Sequence, residues 1–247
     1  MRMMASVLMN DFQRLKSCDR LIVDEALISH FGAVMATRLA GAKEVLLIND
    51  VNQLAFIDRL YFFEMQYIRP NLVATVKKEL LCTYRNSMDV AYALNDLCNG
   101  IYSSMTRVRL LWMETFSDAN IPKDVPNTLY LTYTQVEKES LITQRFGKGE
   151  GTCVLTIHEA QGLTSEGTVI VRISAKHKSH DSVSHAVEVI TRYTVSCVYY
   201  TDDGDDAIGR FIKEAVATSE NKTKQCKNGH FKWGQDNNER FAENWKQ

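Results

Sequence analysis

The chain has 247 residues, of which 45% are hydrophobic and 24% are charged, and its 29 basic and 30 acidic residues leave a formal net charge of −1. This composition is typical of a soluble globular protein and excludes disordered and collagen-like chains. No apolar run approaches the roughly 20 residues needed to cross a bilayer, so no transmembrane segment is predicted. The length suits one large domain or up to two ordinary ones. The net charge does not indicate a nucleic-acid-binding protein, although it allows a local basic groove.

Two short apolar runs near the start of the chain predict strands, over 21–23 and 45–48. The residues between them have apolar side chains at helical spacing over 27–39. An alternation of helix and uninterruptedly apolar strand is typical of a parallel sheet that is covered on both faces. The sequence therefore predicts an α/β fold.

The later elements continue this alternation. Helices are predicted over 86–100, 135–146, 185–192 (with Ser184 as the N-cap) and 207–217, and strands over 128–134, 152–157, 167–174 and 195–200. From 219 to 247 there is no Val, Ile or Leu, and this segment is interpreted as a flexible polar tail. Six scattered cysteines without a C-x-x-C pair favour reduced thiols in a cytosolic protein over disulfides or a zinc site.

Polar residues follow both of the first two strands, at the edge where open α/β sheets bind ligands. Asp24 and Glu25 follow the first strand. A nucleoside-triphosphatase needs an acid there to hold Mg²⁺ and a neighbouring carboxylate to deprotonate the attacking water. Asp50 and Gln53 supply a carboxylate and an amide after the second strand. Taken alone, a solvated loop start and a polar turn remain the alternatives.

Two later segments are more specific. Over 156–164 a strand gives way to a turn that contains Thr, His, Glu and Gln, with a Gly that lets the backbone approach a ligand. Over 185–194 a short predicted helix ends at Arg192. An arginine in this position can reach across a cleft to a triphosphate as an arginine finger.

These segments together resemble motifs II to VI of the superfamily 1 helicases of alphavirus-like positive-strand RNA viruses. The resembling segments, in chain order, are VDEA (23–26), NDVNQ (49–53), TYRNS (83–87), TYTQVEKE (132–139), TIHEAQGLT (156–164) and HAVEVITRYT (185–194). The resemblance covers about residues 18–215. Within the family it is greatest to the methyltransferase–helicase replication proteins of bromoviruses and cucumoviruses.

The resemblance implies RecA-like parallel sheets with flanking helices. Residues 1–72 would be the C-terminal part of a first RecA-like domain, 73–218 a complete second one, and 219–247 the tail. It also implies an ATP-dependent RNA helicase and nucleoside-triphosphatase of viral RNA replication, with ATP and Mg²⁺ between the domains, and it allows RNA 5′-triphosphatase activity. The implied partners are single-stranded RNA, the viral polymerase and the replication complex. The implied location is the host cytoplasm, at membrane-associated replication complexes, with membrane association through other regions.

The resemblance assigns five residues to the nucleotide. Asp24 would coordinate Mg²⁺, and Glu25 would activate water. Gln53 would contact the γ-phosphate, while Arg85 and Arg192 would stabilise charge on the transferred phosphoryl group. Outside the motif, Arg85 would be interpreted as a surface salt-bridge residue.

Four further residues are assigned to RNA and to coupling. Thr156 and His158 would touch the RNA backbone, and Gln161 and Gly162 would contact the nucleotide and couple it to the RNA path. The alternative for His158 is a packed, hydrogen-bonded histidine.

The sequence departs from the family pattern in two places. Asn49 stands where the third motif usually has Gly, which predicts a positive φ at Asn49. No G-x-x-x-x-G-K-[ST] phosphate loop is present, and the glycine-rich segment 147–151 lacks the required Lys and hydroxyl residue. We therefore expect a C-terminal part of the helicase that is inactive alone. The alternative is a catalytically inactive, helicase-like module that binds RNA or proteins of the replication complex.

Overall fold

The computed structural model describes residues 19–26, 43–50, 52, 54, 82–95, 103–106, 111–117, 120–174 and 178–227. Its strands are β1 (Arg20–Val23), β2 (Glu44–Leu47), β3 (Cys82–Ser87), β4 (Ser103–Thr106), β5 (Leu111–Glu114), β6 (Thr128–Thr132), β7 (Cys153–Thr156), β8 (Ser165–Val171) and β9 (Tyr193–Tyr200). Its α-helices are α1 (Met88–Asn95), α2 (Gln135–Thr143), α3 (Val183–Ile190) and α4 (Ala207–Lys227). A 3₁₀-helix spans Lys178–Asp181.

The centre of the fold is a five-stranded sheet in the order β5-β9-β8-β6-β7, in which all neighbouring strands are parallel. Side chains alternate between its faces along each strand. Leu129, Leu131 and Ile170 contribute to one core with residues of α1, α3 and α4, whereas Tyr130 and Val169 contribute to a second core with α2. Both faces are therefore covered, which explains why the central strands read as continuous apolar runs.

Two smaller parallel sheets accompany the large one. β1 pairs with β2 so that their carboxyl ends coincide, with Val23 opposite Leu47. β3 pairs with β4, and the junction of β3 with α1 is attached to the large sheet. Asn86 donates from Nδ2 to the carbonyl oxygen of Thr191 (3.0 Å), and Ser87 hydrogen-bonds the Tyr193 hydroxyl (3.1 Å). These contacts bring β3 to the amino end of β9.

Most predicted elements occur with small changes of boundary. The predicted strands correspond to β1, β2, β6, β7, β8 and β9, and three of the four later helices correspond to α2, α3 and α4. The predicted N-cap Ser184 was wrong, because α3 begins at Val183 and the Ser182 hydroxyl accepts the capping hydrogen bond from the His185 amide. The predicted helix over 27–39 and the boundary at 72/73 lie outside the described residues.

Three further predictions differ from the structure. The helix predicted from residue 86 begins at Met88, because Asn86 and Ser87 complete β3. The last helix does not end at residue 217 but continues to Lys227, so the first part of the predicted flexible tail is helical. Strands β3, β4 and β5 were not predicted. In the part of the chain that the structure covers, no helix is long and apolar enough to span a membrane.

Candidate functional site

The acidic pair lies directly after β1. Asp24 is exposed and Glu25 is half-buried. The Glu25 amide donates to Asp24 Oδ1 (3.1 Å), and Glu25 has a φ of 50°. A left-handed conformation is uncommon for a residue other than glycine, and such residues concentrate at functional sites. The two carboxylates therefore leave the strand end in a specific turn rather than in an extended loop.

A third carboxylate, that of Asp50, follows β2 at the same sheet edge. Asp50 Oδ1 accepts a hydrogen bond from the Asn52 amide (2.9 Å), as in an Asx-turn. The predicted positive φ at Asn49 was wrong, because Asn49 is not among the positive-φ residues of the described chain. Its side chain instead donates from Nδ2 to the Asp50 carbonyl oxygen (2.7 Å). Gln53 lies outside the described residues, so its contact with a γ-phosphate stays a prediction.

Arg85 and Arg192 lie at the amino edge of the five-stranded sheet. Arg85, in β3, donates from Nη1 to the hydroxyl of Thr164 (2.8 Å). Thr164 directly precedes β8. Arg192, one residue before β9, donates from Nη1 to the Leu163 carbonyl oxygen (3.1 Å) and is 2% exposed. Two adjacent residues, Leu163 and Thr164, therefore hold the two guanidinium groups, one through its backbone and the other through its side chain.

The acidic and basic groups converge on Glu25. Burial raises the pKa of the Glu25 carboxyl above its usual value; the charge of Arg192 opposes this rise, Asp24 and Asp50 add to it, and Arg85 opposes it more weakly. Burial, together with the charge of Arg192, lowers the pKa of Arg85. The carboxyl edge of the β1–β2 sheet thus faces the amino edge of the large sheet, and residues distant in sequence act on one another electrostatically.

Glu188 belongs to the same cluster but was not predicted. Its Oε1 lies 3.2 Å from Arg192 Nε, yet that N–H donates to the Glu188 carbonyl oxygen (3.0 Å). Neither carboxylate oxygen of Glu188 accepts a hydrogen bond from any described residue. Burial raises the pKa of Glu188 to about 7, against the charge of Arg192 and with Glu25 and Asp50 adding to the rise. The available sequence signal was an acid within an apolar helical run, four residues before Arg192.

Residues 157–164, here called the crossing loop, connect the two edges of the large sheet. Since β7 and β8 both run parallel to β6, the loop must pass from the carboxyl edge to the amino edge. Gln161 donates from Nε2 to the Leu54 carbonyl oxygen (3.3 Å), which joins the loop to the segment after β2. Gly162 has a φ of 74°, a conformation that favours glycine. Gln161 therefore joins the crossing loop to the segment after β2, and Gly162 follows it directly in the chain.

Thr156, the last residue of β7, and His158 lie where the crossing loop begins. Thr156 is buried, and both its amide (2.8 Å) and its hydroxyl (3.2 Å) donate to Glu159 Oε2. The ring of His158 packs edge-on against His185, with ring centroids 5.0 Å apart. Contact of Thr156 and His158 with RNA stays a prediction, and the Thr156 hydroxyl is engaged within the loop itself.

The described residues include no group of three or more His, Cys, Asp or Glu side chains arranged to hold a metal ion. Mg²⁺ in nucleotide sites is bound by one or two carboxylates together with phosphate oxygens. Asp24 as a metal ligand therefore stays a prediction.

Comparison with known sequences identifies the family. The sequence profile of the viral superfamily 1 RNA helicase core domain matches residues 1–201, so the chain belongs to that family. It is 35% identical over 189 residues to the replication protein alpha-A of Barley stripe mosaic virus, covering 70% of this chain and 16% of the relative. It is 29% identical over 229 residues to the replication protein 1a of Alfalfa mosaic virus, covering 86% and 20%.

A third relative extends this picture. The replicase large subunit of Potato mop-top virus is 32% identical over 236 residues, covering 90% of this chain and 13% of that protein. The chain thus spans a fifth or less of the length of these relatives. They confirm the predicted likeness to replication proteins of alphavirus-like viruses.

Comparison with solved structures agrees on the fold. The crystal structure of Arterivirus nonstructural protein 10 (helicase) superposes with a TM-score of 0.53 at 18% identity, covering 78% of this chain and 41% of that one. Its complex with DNA superposes with a TM-score of 0.56 at 16% identity, covering 82% and 44%. The likeness confirms the predicted α/β fold of parallel sheets with flanking helices.

Proposed function

We propose that the chain is part of a viral ATP-dependent RNA helicase and nucleoside-triphosphatase that acts in RNA replication. The observation that carries the proposal is the convergence of Glu25 from the β1–β2 edge with Arg85 and Arg192 from the edge of the large sheet. A hydrolytic site needs an acid to activate water and positive charge to stabilise the transferred phosphoryl group. Both are contributed here by different parts of the chain.

Glu25 is the general base in this proposal. Its raised pKa makes the ionised carboxylate a stronger base for the attacking water than an ordinary glutamate. The left-handed turn fixes its direction relative to Asp24. Asp24 would hold Mg²⁺, which would neutralise phosphate charge, and Gln53 would contact the γ-phosphate.

The two arginines fit a polyphosphate. Arg85 Nε is buried and has no hydrogen-bond partner among the described residues, and Arg85 lies close enough to Arg192 for the second charge to lower its pKa. Two cations that repel each other are stabilised by an anion between them. The sequence has no G-x-x-x-x-G-K-[ST] loop, and we propose that a longer replication protein supplies that loop.

The crossing loop offers a physical route from nucleotide to RNA. One end holds Arg85 and Arg192 through Thr164 and Leu163, and the other follows directly after Thr156. Movement of the arginines toward a nucleotide would therefore pull on the segment proposed to contact single-stranded RNA. Gln161 and Gly162 would transmit this movement, because they lie between the two ends.

The proposed partners and location follow the family. The chain would act with single-stranded RNA, the viral polymerase and the replication complex in the host cytoplasm, at membranes reached through other regions. RNA 5′-triphosphatase activity would use the same acid and arginines.

RNA-stimulated ATP hydrolysis by a longer protein that contains this chain and a phosphate loop tests the proposal. Glu25→Gln should lower turnover by about 10²–10⁴-fold, the usual contribution of a general base. The matched control is Glu44→Gln, an exposed acid of β2 that pairs with Arg20 and should leave turnover unchanged. Unchanged turnover in Glu25→Gln would remove the acid from the site, and normal hydrolysis by the 247-residue chain alone would contradict our account of the phosphate loop.

The missing loop sequence also favours a second candidate, a helicase-like module that binds RNA without hydrolysis. Binding of single-stranded RNA that weakens steeply with salt, because phosphate contacts release counterions, is expected of both candidates. Such binding by a longer protein that carries the loop but hydrolyses no ATP would support the second candidate alone.

A further inference from the structure

Glu188 is a buried charged group of the cluster to which the proposed reaction gives no role. Its side chain is 1% exposed, although a buried carboxylate normally accepts several hydrogen bonds. Its two oxygens accept none from the described residues. Leaving a buried acceptor unsatisfied costs about 1–3 kcal/mol, and more when it is charged. No hydrogen bond among the described residues offsets this cost, so a role of Glu188 has to be sought in the site.

The neighbour of Glu188 is Arg192, which lies one helical turn further along the chain. Arg192 Nε is 3.2 Å from Glu188 Oε1, while the N–H itself is directed to the Glu188 carbonyl oxygen (3.0 Å). The guanidinium group is thereby folded back along the end of α3, and it is 2% exposed. Charge attraction therefore holds Arg192 beside Glu188 without the hydrogen bonds that would make the pair permanent.

The same carboxylate lies within electrostatic reach of the opposite sheet edge. Glu25 and Asp50 raise the pKa of Glu188, while Arg85 and Arg192 lower it. Glu188 therefore carries its charge among the groups proposed to bind a polyphosphate. An anion that approached Arg192 from the β1–β2 side would compete with Glu188 for one guanidinium group.

We propose that Glu188 is a positioning residue that holds Arg192 back on α3 in the nucleotide-free protein and yields it to the γ-phosphate when a nucleoside triphosphate binds. This inference rests on the proposed function, because it requires Arg192 to contact nucleotide. Nucleotide binding then has to break the attraction between Glu188 and Arg192, so Glu188 weakens ground-state affinity. Removal of its charge should tighten the binding of a triphosphate and leave the binding of a diphosphate unaffected.

The test is a double-mutant cycle in a replication protein that contains this chain and its phosphate loop. The dissociation constant of a non-hydrolysable ATP analogue is measured with Mg²⁺ above pH 8, where the Glu188 carboxyl is ionised, for the wild type, Glu188→Gln, Arg192→Ala and the double variant. We expect Glu188→Gln to tighten the analogue at least threefold in the wild-type background and by less than 1.5-fold in the Arg192→Ala background. ADP affinity should change by less than twofold, and in steady-state hydrolysis the gain should appear as a lower KM.

Two controls separate this mechanism from others. Glu188→Asp keeps the charge and should tighten the analogue less than Glu188→Gln does. Glu137→Gln removes a different buried acid, which caps α2 rather than facing an arginine, and should leave the affinity unchanged. Unfolding midpoints of all the variants identify any that are misfolded.

Each remaining outcome overturns a specific statement. Equal tightening in both backgrounds would mean that Glu188 repels the anion directly rather than through Arg192. Unchanged or weaker binding in Glu188→Gln would refute the proposed release of Arg192. If Arg192→Ala retained full turnover, the proposed function itself would fail, whereas loss of turnover in Arg192→Ala with no effect of Glu188→Gln would refute only the role of Glu188.

Discussion

The five-stranded sheet has a buried arginine–carboxylate cluster at each edge, and the two clusters are completed to different degrees. At the carboxyl edge, Arg172 follows β8 and donates to both oxygens of Asp203 (2.6 Å each) and to Asp206 Oδ2 (2.9 Å). At the amino edge, Arg192 precedes β9 and meets the Glu188 carboxylate through a single 3.2 Å contact. Both arginines are nearly inaccessible to solvent.

The fully hydrogen-bonded cluster around Arg172 holds the start of α4 in place. Asp206 also accepts hydrogen bonds from the Tyr199 hydroxyl and from the Gly209 amide (2.8 Å), so one carboxylate joins β9, Arg172 and the first turn of α4. The hydrogen bonds with Asp203 raise the pKa of Arg172, against the effect of burial. Removal of one partner of such a buried ion pair is strongly destabilising, because the other charge is left buried and unpaired.

The incomplete cluster is suited to exchange of partners. The Glu188 carboxylate has no hydrogen-bond donor among the residues described, and Arg192 uses backbone carbonyl oxygens instead. We interpret the pair with every polar atom satisfied as one that stabilises the fold, and we propose that the pair with unsatisfied atoms serves ligand binding. The comparison predicts that variants of Arg172 act on stability and that variants of Arg192 act on turnover.

The largest expected effect is on catalysis. Arg192→Ala in a protein that carries the phosphate loop should lower ATP turnover by about 10³-fold or more, because an arginine that stabilises the transferred phosphoryl group contributes roughly 10³–10⁵. Steady-state hydrolysis with saturating RNA measures this. Arg210→Ala is the control, since Arg210 pairs with Asp181 on the surface. A decrease of only a few-fold in Arg192→Ala would mean that the amino-edge cluster is structural, like the carboxyl-edge one.

The next effect is on stability. Arg172→Ala should lower the free energy of unfolding of the 247-residue chain by about 3–5 kcal/mol, because it leaves Asp206 buried without its cation. Urea denaturation followed by circular dichroism measures the loss. The control Arg210→Ala, which removes the exposed partner of Asp181, should cost at most about 1 kcal/mol. A comparably small cost for Arg172→Ala would show that the complete hydrogen bonding of this cluster has no energetic weight.

The sequence patterns predicted strands β6 to β9 of the large sheet, whose central members are buried on both faces and therefore contain continuous apolar runs, but they missed its edge strand β5. β3 escaped prediction for the opposite reason, since its residues Cys-Thr-Tyr-Arg-Asn-Ser are largely polar and are held by side-chain contacts such as that between Asn86 and the Thr191 backbone. The extension of α4 to Lys227 was missed because polar helical turns have no apolar periodicity.

The candidate site was predictable only in part. Asp24 and Glu25 could be located from the end of a predicted strand, but their proximity to Arg85 and Arg192 depends on how the two sheet edges meet, which no local pattern contains. The role assigned to the Asn49 backbone was wrong because a side-chain hydrogen bond to Asp50 provided another way to form the turn. Glu188 was overlooked because an acid in an apolar helix face becomes informative only when its burial is known.

A smaller effect concerns pH and stability at the amino edge. The pKa of Glu188 in the folded chain is about 7, above its ordinary value of 4.5. The folded state therefore binds this proton more tightly than the unfolded state, and this residue makes the fold less stable as pH rises from about 4.5 to about 7. Glu188→Gln does not titrate, so its stability relative to the wild type should increase through this window, by up to about 3 kcal/mol.

Glu137→Gln is the matched control, and its pH dependence has the opposite sign. Although burial raises the pKa of Glu137, hydrogen bonds from Ser174 and Thr134 lower it below the ordinary value. The wild type should therefore gain stability relative to Glu137→Gln as pH rises, and should lose that advantage in acid. Urea unfolding of the three proteins between pH 5 and 8 measures the Glu188 effect, and extension to lower pH measures the control. If the stability of Glu188→Gln and of the wild type changed with pH in parallel, the ionised form of Glu188 would not be destabilised by its surroundings.

The smallest effect is at the start of the crossing loop. Burial raises the pKa of Glu159, but hydrogen bonds from Lys138, Thr156 and Gln135 outweigh it and lower the pKa to about 2. Since the side chain is 31% exposed, solvent screening limits its contribution, and Glu159→Gln should cost about 1 kcal/mol at neutral pH. The cost should shrink as pH falls from about 4.5 toward 2, because the wild-type carboxylate then takes up its proton.

Unfolding midpoints at neutral and acidic pH measure this change, and the exposed Glu139→Gln on α2 should stay within about 0.5 kcal/mol of the wild type. Hydrogen exchange at the Thr156 amide gives a local measurement, because that amide donates to Glu159 (2.8 Å). Faster exchange at Thr156 in Glu159→Gln, with no change at the Leu163 amide, which donates to the Ala160 carbonyl oxygen (3.0 Å), would show that the two ends of the crossing loop open independently in the absence of ligand. Equal acceleration at both amides would mean that the loop already moves as one unit and that the two edges of the sheet are coupled before any nucleotide binds.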